Sequence, residues 1–269
     1  MPADTNASAL PVISDVTLRV FTYVVRSYFR KHFRAVLVQH TEHFSNATGP
    51  LIVYGNHSSW WDPMVSVLLA QTLLPGRKHY APMDAVPLAR YPILRKIGIF
   101  PVELSTARGA VQFLRVSQAV LQSGGVLWIT PQGRFADVRE RPLSFKAGLA
   151  TLITRMPEAR VLPLAVEYPF WNERLPETLL HFASPLRIDK KFTVEEITQQ
   201  LESALESAMD KLREAALTRD PSSFDVLLEG SRGTGGVYAL GRRLRALFRG
   251  KGIQEDHSLR DRKSKDARR

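Results

Sequence analysis

Short runs, most of them apolar, alternate with stretches of helical period through the middle of this chain. The runs are Leu51–Tyr54, Lys78–Ala81, Ile99–Val102, Val126–Ile129, Val161–Glu167 and Leu179–Ala183. Between them, apolar residues recur three or four positions apart over Met64–Leu74, Leu88–Ile97, Arg108–Gln122, Lys146–Arg155 and Val194–Ala216. Runs bounded by turn residues read as strands buried on both faces, and the periodic stretches read as the helices that cover them. The pattern predicts an α/β fold with a largely parallel sheet flanked by helices. Thr193-Val194-Glu195-Glu196 is a capping box, and its helix carries Ile197, Leu201, Leu205, Met209 and Leu212 on one face.

Amphipathic helices are predicted at both ends. Residues 15–40 read as one helix with Leu18, Phe21, Val25, Phe29 and Val36 near helical spacing. No acidic residue lies between Val16 and Thr41, whereas Arg19, Arg26, Arg30, Lys31 and Arg34 do. Val237–Phe248 repeats the pattern with Leu240, Leu244 and Leu247 among Arg242, Arg243 and Arg245. The whole chain carries a net charge of +11. Basic helices with aromatic and aliphatic faces read as interfacial membrane segments, and an anionic membrane surface is the expected partner. Packing of both faces on the domain is the alternative. Nucleic acid is not expected, because no recognition motif accompanies the charge.

The expected division is a loose start and basic helix over 1–44, a central domain over 45–225, a glycine-rich hinge with a basic helix over 226–250, and a charged disordered tail over 251–269. Glycines 230, 233, 235 and 236 read as a hinge; a phosphate-binding turn would need a preceding strand and a Lys-Ser/Thr pair. Met1–Leu10 is polar and does not read as a signal peptide, and no apolar run approaches the ~20 residues of a spanning helix. There is no cysteine, which excludes disulfides and thiolate metal sites; the histidines show no ligand spacing, so no metal and no bound cofactor are expected.

The chemistry concentrates in Asn56-His57-Ser58-Ser59-Trp60-Trp61-Asp62-Pro63, directly after the first apolar run. Histidine titrates near neutrality and can take a proton from a hydroxyl, and a carboxylate can orient it. On an unbroken helix, five steps would leave the two side chains roughly 140° apart, so the chain must turn between them. Ser58 and Ser59 suit that turn. Asp62-Pro63 also reads as a helix start with Asp62 as N-cap, which is the ordinary reading of the aspartate. A serine nucleophile beside His57 is a further alternative, though neither serine sits in a Gly-x-Ser-x-Gly elbow.

This octet resembles the first block of the lysophospholipid and glycerolipid acyltransferases, the family that includes the 1-acylglycerol-3-phosphate acyltransferases. Gly98-Ile99-Phe100-Pro101-Val102-Glu103 is similar to their second block and Thr130-Pro131-Gln132-Gly133-Arg134 to their third. Phe145-Lys146-Ala147-Gly148 and Val161-Leu162-Pro163-Leu164-Ala165 follow in the family's order. The resemblance covers roughly residues 45–190. It implies a peripheral enzyme on the cytoplasmic face of a membrane, moving an acyl group from acyl-CoA or acyl carrier protein to a hydroxyl of a lipid acceptor. His57 would be the general base and Asp62 its orienting carboxylate. A non-catalytic lipid-binding protein on this fold and a lipid esterase are the other functional readings.

The same resemblance implies acceptor-binding roles for Gln132, Gly133 and Arg134. Two departures fall there. Leu104 stands where the family has an arginine, with Arg108 the nearest substitute, and Gln132 stands where it has a glutamate. The third block's arginine is displaced by one position, since Arg134 and Phe135 stand for threonine and arginine. Trp60, Trp61 and Phe100 read either as an acyl channel or as core and interface anchors. Backbone N–H groups near Gly133 are candidate oxyanion donors. Trp171-Asn172-Glu173-Arg174 reads as a headgroup rim or an ordinary capped turn.

Overall fold

Eight strands form one sheet in the order β4-β3-β5-β2-β6-β7-β1-β8. The computed structural model describes residues 10–104, 106–189 and 191–231. The chain runs α1 (Asp15–His32), β1 (Ala35–Gln39), α2 (Glu42–Ser45), β2 (Leu51–Gly55) and α3 (Asp62–Leu73). It continues through β3 (His79–Asp84), α4 (Ala85–Arg90), a 3-10 turn (Pro92–Ile97), β4 (Ile99–Val102), α5 (Ala107–Gln122) and β5 (Val126–Ile129). Then come α6 (Gly148–Arg155), β6 (Arg160–Glu167), β7 (Glu177–Phe182), α7 (Val194–Thr218), a second 3-10 turn (Pro221–Ser223) and β8 (Asp225–Glu229). Five strand pairings are parallel and two, β6/β7 and β1/β8, are antiparallel. The sheet is thus the mostly parallel, helix-flanked one expected.

Helices cover both faces, which is why the central strands are apolar at nearly every position. One apolar cluster joins Ile52 and Tyr54 of β2 to α5, α6 and α7; the other joins Leu51 and Val53 to α1 and α3. The capping box at Thr193 is present, with Glu196 N–H donating to Thr193 Oγ1 at 3.2 Å and Thr193 N–H to Glu196 Oε2 at 2.8 Å.

Three elements differ from expectation. The helix predicted over 15–40 ends at His32, and Ala35–Gln39 is a strand held between β7 and β8. Four consecutive apolar residues there satisfy a doubly covered strand better than one face of a helix, so the sheet begins ahead of the predicted boundary at 45. The apolar stripe of α1 turns inward: Val25 and Phe29 are buried against the sheet and α3, and Val36 belongs to β1. The helix expected over Leu88–Ile97 breaks at Tyr91, because Pro92 has no N–H to continue it. Asp225–Glu229, which straddles the predicted hinge boundary at 226, is an edge strand paired with β1. The basic helix predicted over Val237–Phe248, the tail over 251–269 and most of the glycine-rich hinge lie outside the described residues.

Candidate active site

The site stands at the C-terminal end of β2, between β5 and β6. Gly55 ends the strand, and a Cβ built on it would lie 2.6 Å from the carbonyl oxygen of Leu164 on β6. Only glycine permits that approach. Asn56 then extends the pairing with its side chain: Nδ2 donates to Val166 O and Oδ1 accepts from Val166 N–H, both at 2.9 Å.

The chain turns at Ser58–Trp61 and brings the pair together, with His57 Nδ1 2.8 Å from Asp62 Oδ2. A carboxylate accepts, so Nδ1 carries the proton and the lone pair falls on Nε2. Asp62 is the first residue of α3 and Trp61 its N-cap, so the aspartate is not the cap that the sequence allowed. Its oxygens are used otherwise. Oδ2 also accepts from Ser59 N–H at 3.0 Å, and Oδ1 accepts from the Tyr168 hydroxyl at 2.6 Å. Burial, and then the neighbouring Asp62 carboxylate, push the Tyr168 hydroxyl well above its ordinary titration range, so it remains a donor.

The loop between β5 and α6 holds His57 by its backbone. Gln132 is buried, and its Oε1 accepts from His57 N–H at 3.1 Å; Ala136 N–H donates to His57 O at 2.8 Å. Gly133 lies in the left-handed region (φ 64°), and a Cβ there would meet Lys146 Cε at 2.8 Å. Its N–H donates to Thr130 O at 3.0 Å inside the turn, so this donor is not offered to an oxyanion. Arg134 pairs with Glu140, and the exposed Phe135 ring lies over the imidazole with centroids 4.3 Å apart.

The expected site residues therefore separate. His57, Asp62, Gln132, Gly133 and Arg134 share one end of the sheet. Arg108 is exposed in the first turn of α5, after β4, which lies three strands from β2 or about 14 Å across the sheet. Phe100 is buried in the core beneath α5, not beside His57. Trp61 stacks on Tyr28 of α1 at 4.5 Å and meets Phe29 and Phe33 edge-on, which makes it the anchor of that helix. Trp60 is 58% exposed beside it. Trp171 packs edge-on against Phe224, away from the pair. Ser58 Oγ has no hydrogen-bond partner among the described residues, and Ser59 Oγ accepts from Trp61 N–H, so neither serine is paired with His57 as a nucleophile.

Sequence reasoning missed Tyr168, Phe135 and Glu140. Tyr168 directly follows an apolar run, and that position was its only visible signal. Among the described residues, no three His, Asp or Glu side chains are grouped to hold a metal ion.

Residues 35–167, just under half of the chain, match the acyltransferase family model. Among solved structures, the chain is similar to the 1-acyl-sn-glycerophosphate (LPA) acyltransferase PlsC from Thermotoga maritima. The TM-score is 0.55 at 16% identity, over 73% of this chain and 79% of that one, a likeness of fold. Comparison with curated proteins gives no match.

Proposed function

We propose that this chain transfers a fatty acyl group from an acyl thioester, acyl-CoA or acyl carrier protein, to a hydroxyl of a lipid acceptor. The observation that carries the reading is the orientation of His57. Its Nδ1 is engaged by Asp62 at 2.8 Å, while Nε2 has no hydrogen-bond partner among the described residues and the side chain is 17% exposed. The match to the acyltransferase family model and the lipid substrate named for the Thermotoga protein support the same reaction class.

In this reaction Nε2 takes the acceptor's hydroxyl proton as the oxygen attacks the thioester carbon. The tetrahedral intermediate collapses with cleavage of the C–S bond, and the imidazolium returns the proton to the departing thiolate. The products are an ester and a free thiol. Asp62 stays a carboxylate throughout and offsets the charge that develops on the imidazole.

The work takes place at an anionic membrane surface, peripherally and on the cytoplasmic face. Support comes from the outer side of α1, where Val16, Val20, Tyr23 and Val24 are all more than half exposed at helical spacing beside Arg19, Arg30 and Lys31. Trp61 ties that helix to the turn carrying His57. No helix among the described residues is long and apolar enough to cross a membrane.

The test is incubation of purified protein with labelled acyl-CoA, or labelled acyl carrier protein, and a lipid extract. A labelled lipid ester that disappears in His57→Ala is expected. Label released only as free fatty acid would make the protein an esterase. Binding without turnover would make it a lipid-binding protein.

A further inference from the structure

The nature of the acceptor is written in the loop that flanks His57, given the acyl-transfer reading above. This loop carries three arginines, and every one meets a carboxylate. Arg134 pairs with Glu140 through both terminal nitrogens, one of them 3.1 Å from Oε2. Arg139 Nη2 lies 2.8 Å from Asp137 Oδ2. Arg141 faces Glu206 at 3.9 Å and Asp210 at 3.7 Å, both on α7. Exposed pairs of this kind add little stability. They nevertheless offset part of the charge that each guanidinium would otherwise present to a ligand.

A phosphate monoester requires uncancelled donors in fixed geometry, for which the arginine fork is best suited. The one cation of this loop without a carboxylate within ion-pair distance, among the described residues, is Lys146. Its stem is folded over Gly133. It is a lone point charge on a flexible chain. What the loop presents at the imidazole is instead the Phe135 ring, 4.3 Å from it and 55% exposed. An aromatic face favours the C–H surface of an uncharged ring or polyol and disfavours a strongly hydrated dianion.

We infer that the acceptor hydroxyl belongs to an uncharged headgroup, a sugar or a glyceride, packed on Phe135, and that Glu140 keeps Arg134 from gripping a phosphate. The experiment measures kcat/KM with one acyl thioester donor and three acceptors: lysophosphatidic acid, the matching monoacylglycerol and a glycosylated glyceride. Wild type is expected to favour an uncharged acceptor by about tenfold or more. Phe135→Ala should remove most of that advantage through KM. Glu140→Gln should raise kcat/KM for lysophosphatidic acid by about tenfold and leave the uncharged acceptors unchanged. A wild-type preference for lysophosphatidic acid overturns the inference while leaving acyl transfer intact, and its collapse in Lys146→Ala would locate the phosphate grip. An unaltered lysophosphatidic acid rate in Glu140→Gln overturns the role given to that residue. Transfer to none of the three overturns the acyl-transfer reading itself.

Discussion

The Tyr168 hydroxyl lies 2.6 Å from Asp62 Oδ1, on the side of the carboxylate away from His57. The tyrosine comes from the end of β6 and the aspartate from the start of α3. Two elements far apart in sequence therefore fix the carboxylate that holds the His57 ring. Tyr168 is partly buried, and its proton, held well above the ordinary tyrosine range by burial and the Asp62 carboxylate, is donated to that carboxylate.

Tyr168→Phe should accordingly lower kcat by about tenfold with KM little changed, since hydrogen bonds to charged groups are worth roughly 1.5–3 kcal/mol and the hydroxyl is spent on Asp62. Steady-state kinetics on the folded variant decide it. A change confined to KM would show that Tyr168 contacts substrate and does not position Asp62.

His57→Ala should reduce turnover by ~10²–10⁴-fold, the usual contribution of a general base. Asp62→Asn should also reduce it, with an unchanged circular dichroism spectrum. Near wild-type turnover in a folded His57→Ala protein would end the proposed mechanism.

Gln132 is needed as an acceptor, not as a charge. Gln132→Ala leaves the His57 N–H without its partner and should cost about 1–3 kcal/mol of unfolding free energy. Gln132→Glu retains an oxygen at that place and should stay near wild type. Urea denaturation of the two variants makes the comparison; equal stability would remove Gln132 from the support of His57.

Acid should weaken the fold between pH 6.5 and 4. Burial lowers the His79 imidazole from 6.5 to about 4, where Nε2–H donates to Leu74 O at 3.0 Å and Nδ1 accepts from Trp128 at 3.1 Å. Burial and the nearby His40, Lys211 and His43 lower His181 to about 4 as well. The unfolded chain binds more protons in this window, so stability rises with pH and is lost as pH falls through it. For His79 alone the change is about 3 kcal/mol. Unfolding midpoints at pH 7 and pH 4.5 should differ in wild type and differ less in His79→Gln, the remainder belonging to His181; an identical pH dependence in that variant would contradict the assignment.

Deleting α1 would be a poor test of membrane docking, because Val25 and Phe29 belong to the core. Replacing the outward residues is cleaner. The triple change Val20→Ser, Tyr23→Ser and Val24→Ser should reduce co-sedimentation with anionic vesicles several-fold while the unfolding midpoint is preserved. Undiminished sedimentation would take this face out of the docking role.

Much of this was legible from residue patterns. The central strands are apolar on both faces, and the runs at Leu51, Ile99 and Val126 needed no tertiary context to be recognised. Ala35–Gln39 was not legible, because a helical period entering from α1 carried through it and its partners lie some 140 residues away on β7. The His57–Asp62 pair could be read from a turn that had to exist. Tyr168 could not, since its meeting with Asp62 depends on the register that sets Gly55 opposite Leu164. Trp61 stayed open between two readings for a related reason: an aromatic in the His57 turn looks the same in sequence whether it faces a substrate or a neighbouring helix.

Both backbone groups of His57 are sutured to one loop, the N–H to Gln132 and the carbonyl to Ala136. That loop cannot swing away as a flap without dragging the imidazole off its carboxylate. The turn that carries His57 and this loop therefore move together or not at all. In hydrogen–deuterium exchange, the amides of His57 and Ala136 should open as one unit, in an event that silences the enzyme for as long as it lasts.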